Sequence, residues 1–123
     1  MYFTQKVIDL FIKPENAGEL ADADGIGEAG DPHCGDFLRI YIQVREGVIK
    51  DCTFQVFGCC AAIASSSMTT ILAKGQALDD AEKITAQDIV HALGGLPEEK
   101  VHCSVLGESA LKAAIENYRK NDQ

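Results

Sequence analysis

Two runs of alternating residues constrain this chain more than anything else in it. Phe37 to Val44 sets Leu38, Ile40, Ile42 and Val44 on one face and Arg39 and Gln43 on the other. Val48 to Phe57 sets Val48, Cys52, Phe54 and Val56 against Asp51, Thr53 and Gln55. A period of two is that of a strand with one face buried. The short Glu46-Gly47 joint between the runs predicts a hairpin. A lone hairpin cannot cover its own apolar face, so the rest of the chain must do so.

The remaining patterns are helical. Phe3, Val7, Leu10 and Phe11 recur at helical spacing, and Pro14 ends that helix. Pro14 to Gly18 is a turn cluster. Ala21 to Pro32, with Gly25, Gly27 and Gly30, reads as a loop or as a weak edge strand around Ile26 to Ala29. Ala61 to Lys74 is a helix stopped by Gly75, with Ile63, Ile71 and Leu72 on its apolar side. Leu78 to Glu82 is a short helical turn. Thr85 and Asp88 form a capping box, with Ile84 and Ile89 as its staple. That helix carries Ile89, Val90 and Leu93 and stops at Gly94-Gly95. After a proline-containing connection from Leu96 to Cys103, Ser104 caps a last helix to about Lys120. Its stripe is Leu111, Ala114, Ile115 and Tyr118. The expectation is one α+β domain over residues 1–123. It has a small antiparallel sheet, the hairpin plus a weak edge strand, with helices packed on one face.

The net charge of -8 argues against nucleic acid as a partner, because phosphate binding needs a basic surface. No stretch offers the long apolar run of a membrane span, and Met1 to Lys6 lacks the features of a secretory leader. A cytoplasmic protein is expected. In that compartment an odd set of five cysteines points to reduced thiols used for metal or catalysis rather than to a disulfide framework.

The thiols cluster at element ends. Cys34 lies in Asp31-Pro32-His33-Cys34-Gly35-Asp36, before the first strong strand. Cys59 and Cys60 follow the second strand and open a helix whose free N–H groups favour a thiolate. Antiparallel pairing brings those two regions together. His102-Cys103 lies just before the last helix. If that connection folds over the same end of the hairpin, the sulfurs converge with Asp36 and His102 nearby, and His33 as a further candidate. Thiolates joined by an imidazole or carboxylate suit Zn²⁺ or an iron–sulfur cluster. Cys52 lies on the hairpin's apolar face and reads as core.

Cys34-Gly35-Asp36, then Phe57-Gly58-Cys59 with Ala62-Ile63-Ala64-Ser65-Ser66-Ser67, then His102-Cys103-Ser104 resemble, in order and context, the U-type iron–sulfur cluster assembly scaffolds, the IscU/NifU N-terminal-domain family. The likeness runs from Pro14 to the final helix. It implies a protein that is not itself a catalyst. Such a protein assembles a labile [2Fe–2S] cluster from iron and from sulfur delivered as persulfide by a pyridoxal-phosphate cysteine desulfurase, then passes the cluster to acceptor proteins. By the same resemblance Cys34, Cys59 and Cys103 are cluster ligands. Asp36 is the carboxylate that keeps the cluster transferable, His102 is an alternative ligand, and Cys103 accepts the persulfide. The family also binds Zn²⁺ through much the same set when no cluster is present.

The chain departs from the family at three points. Cys60 stands where Gly is usual and is read as a spectator. His33 stands where a small residue is common and is read as a surface side chain. Leu96-Pro97-Glu98-Glu99-Lys100 replaces the family's Leu-Pro-Pro-Val-Lys segment, which recruits a dedicated Hsp70-type chaperone. Acids in place of proline and valine predict weak or no binding to that chaperone. Lys100 itself reads as an ordinary surface charge, and His91 as structural. Two other functions remain open from the residues: a zinc protein that is structural or regulates a desulfurase, and a relay that only passes persulfide through Cys59, Cys60 or Cys103.

Overall fold

The computed structural model describes residues 2–31 and 35–121. Its centre is the expected hairpin. Strand β2 (Asp36–Arg45) pairs with β3 (Val48–Phe57), and β1 (Gly25–Asp31) adds on the other side of β2 in an antiparallel order β1-β2-β3. Glu46 and Gly47 both have positive φ, 54° and 76°, as a two-residue hairpin turn requires.

Leu38, Ile40, Ile42 and Val44 are all buried, as the alternation predicted. On β3 the pattern needs one correction. Val44 pairs with Ile49 but Gln43 pairs with Asp51, so an extra residue is bulged out near Lys50. The bulge reverses the faces before it, and Ile49 is buried while Val48 is 37% exposed. Beyond it Cys52 and Phe54 point into the core as expected.

Strand β1 is longer than the weak edge expected, because its glycines serve packing rather than a loop. Helix α5 (His102–Asn121) lies directly on it. A Cβ at Gly25 would meet the Ala114 carbonyl, and one at Gly27 would run into the backbone of Ala110 and Ala114. The free edge of β1 is partly covered as well, since Ile26 N–H donates to Asn117 Oδ1 at 3.0 Å. The opposite edge of β3 is masked by the turn cluster, where Gly18 N–H donates to Phe54 and Phe54 N–H to Asn16.

Helix α2 (Cys60–Ala73) is buried on nearly every side. Ile63, Ile71 and Leu72 are only half-buried, whereas Ala61, Ala62, Ala64, Ser65, Ser66, Ser67, Thr69 and Thr70 are buried. Small residues let β3, α5, α1 (Gln5–Ile12) and α4 (Ala86–Ala92) all approach it. Several buried hydroxyls are satisfied locally: Ser65 donates to the Ala62 carbonyl, Thr69 to that of Ser65 and Thr70 to that of Ser67. Val7 and Leu10 of α1 pack with Ala64, Met68, Ile89 and Leu93. After α3 (Leu78–Glu82), α4 opens with the predicted capping box, Thr85 and Asp88 each accepting from the other's backbone N–H. The last helix begins earlier than expected. Glu98–Lys100 is a single 3-10 turn, α5 starts at His102, and Ser104 sits buried in its first turn with its hydroxyl donating to the Val101 carbonyl. Ser104 therefore does not cap from outside. Among the described residues no helix is long and apolar enough to cross a membrane.

Candidate iron–sulfur site

The register that pairs Phe37 with Phe57 brings the start of β2 beside the end of β3, and hence Asp36 beside Gly58. Glycine is required there: a Cβ at Gly58 would lie 2.7 Å from the Ala62 Cβ and 3.0 Å from Asp36 Oδ1. The bare backbone thus lets the carboxylate of β2 rest against the first turn of α2. Gly58 is a supporting residue whose sequence signal, a turn glycine before the thiols, had shown only a turn.

Cys59 is the N-cap residue of α2, with extended backbone at φ -77° and ψ 179°, and its carbonyl accepts from Ile63 N–H. Its sulfur makes no cap hydrogen bond of ordinary geometry. Cys103 lies in the first turn of α5, 1% exposed, packed with Ala61 and Ala62. The two helix N-termini therefore face one another, and Cys59 Sγ is 3.9 Å from Cys103 Sγ. His102 Nε2 is 3.7 Å from Cys103 Sγ and 3.6 Å from Asp36 Oδ2. The contacts form a chain, Asp36 to His102 to Cys103 to Cys59. Among the described residues no three such side chains already converge on one point as a closed metal site. Cys34 and His33 lie outside the described residues.

The two thiols are tuned in opposite directions. Burial pushes Cys59 up, but the N–H groups of Ala62 and Ala61, the Cys103 thiol and the Lys100 ammonium outweigh it, and the net shift is downward. Burial pushes Cys103 up to about 12, with the neighbouring Cys59 sulfur and Asp36 adding to the rise and Lys100 opposing it. The site thus sets a half-buried thiol that ionises more readily than usual beside a buried one that ionises less readily. The Lys100 ammonium acts on both thiols through its charge alone. Cys60 is half-buried at the first position of α2. Cys52 is fully buried in the sheet core, its thiol pushed up to about 12 by burial. His91 is exposed on α4, apart from the thiols.

The larger surface hollows, about 540 Å³ beside α4 and about 760 Å³ between α1 and α2, are lined by other residues and carry no thiol. Exposed Phe57, 68% accessible, and Val101 are on the elements that frame the sulfurs. Such an arrangement suits ligands brought by a protein surface better than a small diffusible substrate.

A family model described as the NifU-like N terminal domain matches residues 2–123. The chain is 52% identical over 120 residues to the iron-sulfur cluster assembly scaffold protein IscU 1 of Archaeoglobus fulgidus, covering 97% of this chain and 78% of that protein. It is 45% identical over 123 residues to the protein of the same description from Escherichia coli, covering 97% and 95%. Against the nitrogen fixation protein NifU of Azotobacter chroococcum it is 50% identical over 119 residues, 95% of this chain but 38% of that one. A solved structure of a putative iron-sulfur cluster assembly scaffold protein for the SUF system, from Fervidobacterium islandicum, superposes with a TM-score of 0.73 over 92% of this chain and 96% of its own. At 20% identity that likeness speaks to the fold alone.

Proposed function

The chain belongs to the NifU-like N-terminal domain family, and from that premise we propose how it acts as an iron–sulfur cluster assembly scaffold. The cluster is cargo, built on the chain and then given away. The observation that carries this reading is the run of contacts from Asp36 through His102 and Cys103 to Cys59, where a strand start meets two helix N-termini. Cys59 and Cys103, with Cys34, supply thiolate ligands for a [2Fe–2S] cluster, and Asp36 or His102 completes the shell. A carboxylate is a hard ligand and a poor match for a soft iron–sulfur centre, so the fourth position is the one that opens when the cluster leaves. In the cluster-free chain the same donors suit Zn²⁺, which takes cysteine, histidine and carboxylate ligands.

Sulfur arrives from a cysteine desulfurase as a persulfide. The Cys103 sulfur attacks the terminal sulfur, the S–S bond to the donor breaks, and the donor cysteine leaves as a thiol that takes the Cys103 proton. The exposure of Cys59 supports a second route, in which Cys59 takes the sulfur first and passes it to Cys103 across 3.9 Å. Single-turnover transfer followed by mass spectrometry separates the routes. If Cys59→Ser still gives persulfide on Cys103 at the wild-type rate, Cys103 is the direct acceptor. Glu98 and Glu99, both exposed on the 3-10 turn, support weak engagement of the dedicated Hsp70-type chaperone.

The test of the whole reading is anaerobic reconstitution with iron and a cysteine desulfurase, read by Mössbauer spectroscopy and visible absorption. Wild type and Cys60→Ser are expected to give a [2Fe–2S] signal, while Cys34→Ser, Cys59→Ser and Cys103→Ser lose it. A wild type that takes up no cluster and holds one zinc ion would replace this reading with that of a zinc protein.

A further inference from the structure

The same two sulfurs have a second chemistry open to them when no cluster is bound. Cys59 Sγ and Cys103 Sγ lie at van der Waals contact, 3.9 Å apart, with no atom of the chain needed between them. A disulfide requires about 2 Å between sulfurs and Cβ atoms pointing toward each other. The sulfurs have about 2 Å left to close, between the ends of α2 and α5, which are already packed through Ala61, Ala62 and Cys103. The other described thiols are placed differently. Cys52 is sealed in the sheet core, and among the described residues Cys60 has no sulfur contact.

We propose that the cluster-free scaffold is closed by peroxide through a Cys59–Cys103 disulfide, a redox switch built into the assembly site. Cys59 is the more exposed of the pair and meets the oxidant. Its sulfur attacks one peroxide oxygen, the O–O bond breaks, and Cys59 becomes a sulfenic acid as one water or alcohol leaves. The Cys103 sulfur then attacks the Cys59 sulfur, the S–O bond breaks, and the departing hydroxide takes the Cys103 proton as water. Two thiols give up two electrons and one peroxide is reduced. The buried Cys103 sulfur, next to the sulfenic acid, resolves it before further peroxide can drive it to the irreversible sulfinic state. A dithiol reductant reverses the bond by exchange.

The bond itself stands on the geometry alone, while its consequence rests on the scaffold reading. A disulfide offers no thiolate, so two of the proposed cluster ligands are withdrawn together and the site accepts neither iron nor sulfur. An oxidised scaffold would then stay empty rather than collect iron beside peroxide.

The experiment treats the metal-free, reduced full chain with hydrogen peroxide, quenches with an alkylating agent, and maps disulfides by peptide mass spectrometry. The expected result is an intramolecular Cys59–Cys103 link with a mass loss of two hydrogens, unchanged in Cys60→Ser and absent in Cys59→Ser and Cys103→Ser. Dithiol treatment should restore both thiols. Only sulfinic acid at Cys59, a Cys59–Cys60 link, or a disulfide between copies would overturn the proposal. Because the serine variants can perturb folding, wild type alone decides the link by its peptide map, and it is also mapped with one zinc equivalent, where protection of the same pair supports the consequence for the site and unchanged oxidation counts against that consequence, not against the bond. Cluster uptake is then compared for the oxidised chain before and after dithiol. If the reduced chain builds no cluster, the scaffold reading fails, but the disulfide map still decides the switch.

Discussion

At the scale of single residues, the site is a set of unlike groups held at contact distance. The pair Cys59 and Cys103 makes the clearest statement, because burial raises both thiols and only Cys59 has the backbone N–H groups of a helix N-terminus to outweigh it. The lowered thiol of Cys59 ionises below the ordinary thiol range, and that of Cys103 stays protonated until about pH 12. In the metal-free protein, alkylation of Cys59 should therefore rise at lower pH than that of an ordinary cysteine, with Cys103 lagging well behind. Mass spectrometry of iodoacetamide time courses across pH checks this, and equal rates at the two positions would contradict it. Asp36 carries the second residue-scale prediction. Asp36→Ala should slow cluster release to an acceptor, followed by visible absorption, because the weakly held position is gone; decay and transfer at the wild-type rate would remove that role. The sequence revealed these thiols because hairpin pairing alone brings Asp36 toward Cys59. It placed His102 near Asp36 and the sulfurs, but not the order of contacts from Asp36 through His102 to Cys103, nor the charge effect of Lys100 on both thiols. Those follow from α5 starting at His102, two residues before the expected cap, and no local pattern marks that start.

At the scale of elements, what was legible was whatever repeats or caps. The hairpin showed in its period of two, α4 in its capping box, and the end of α2 in Gly75. Strand β1 was read as weak because glycine signals a loop, whereas Gly25 and Gly27 are there to admit the backbone of α5. Helix α2 misled in the other direction, since buried serine, threonine and alanine carry little hydrophobic signal and the three larger apolar residues drew the stripe. The β1–α5 contact yields a test. Gly27→Val should lower stability by about 1–3 kcal/mol, the range for forcing extra atoms into a packed contact, as read by urea denaturation. Exposed Glu28→Ala, which gives up only a surface ion pair with Arg39, should cost less than about 1 kcal/mol. Similar costs at both positions would mean that the helix does not press on the strand. The 3-10 turn Glu98–Lys100 belongs to the same scale. It presents two exposed carboxylates where an apolar groove would want proline and valine. The wild type should bind the dedicated Hsp70-type chaperone weakly, and Glu98→Pro with Glu99→Val should raise the affinity at least tenfold by calorimetry. Tight binding by the wild type would sink that argument.

At the scale of the whole molecule, the site is where the layers are joined. Asp36 begins a central strand, Cys59 caps the helix buried at the centre of the fold, and Cys103 lies in the first turn of the helix across the sheet. The Cys59 and Cys103 sulfurs are 44 residues apart in sequence yet in contact. An ion held by these groups ties strand, central helix and covering helix together, and the unfolded chain has no such arrangement to offer. Binding to the folded state alone adds about 2.7 kcal/mol when free ligand is a hundredfold above its dissociation constant. For a domain between the size classes, where each kcal/mol moves the midpoint by roughly 2–8 °C, that is a rise on the order of 10 °C. Zinc added to the apo protein should therefore raise the melting midpoint of wild type and of Cys60→Ser by about that amount. It should leave Cys59→Ser and Cys103→Ser nearly unmoved, and a chelator should return wild type to its starting midpoint. If zinc stabilised the serine variants as much as wild type, the ion would be bound elsewhere, and the junction of the three elements would be a structural seam rather than the place where the cargo is held.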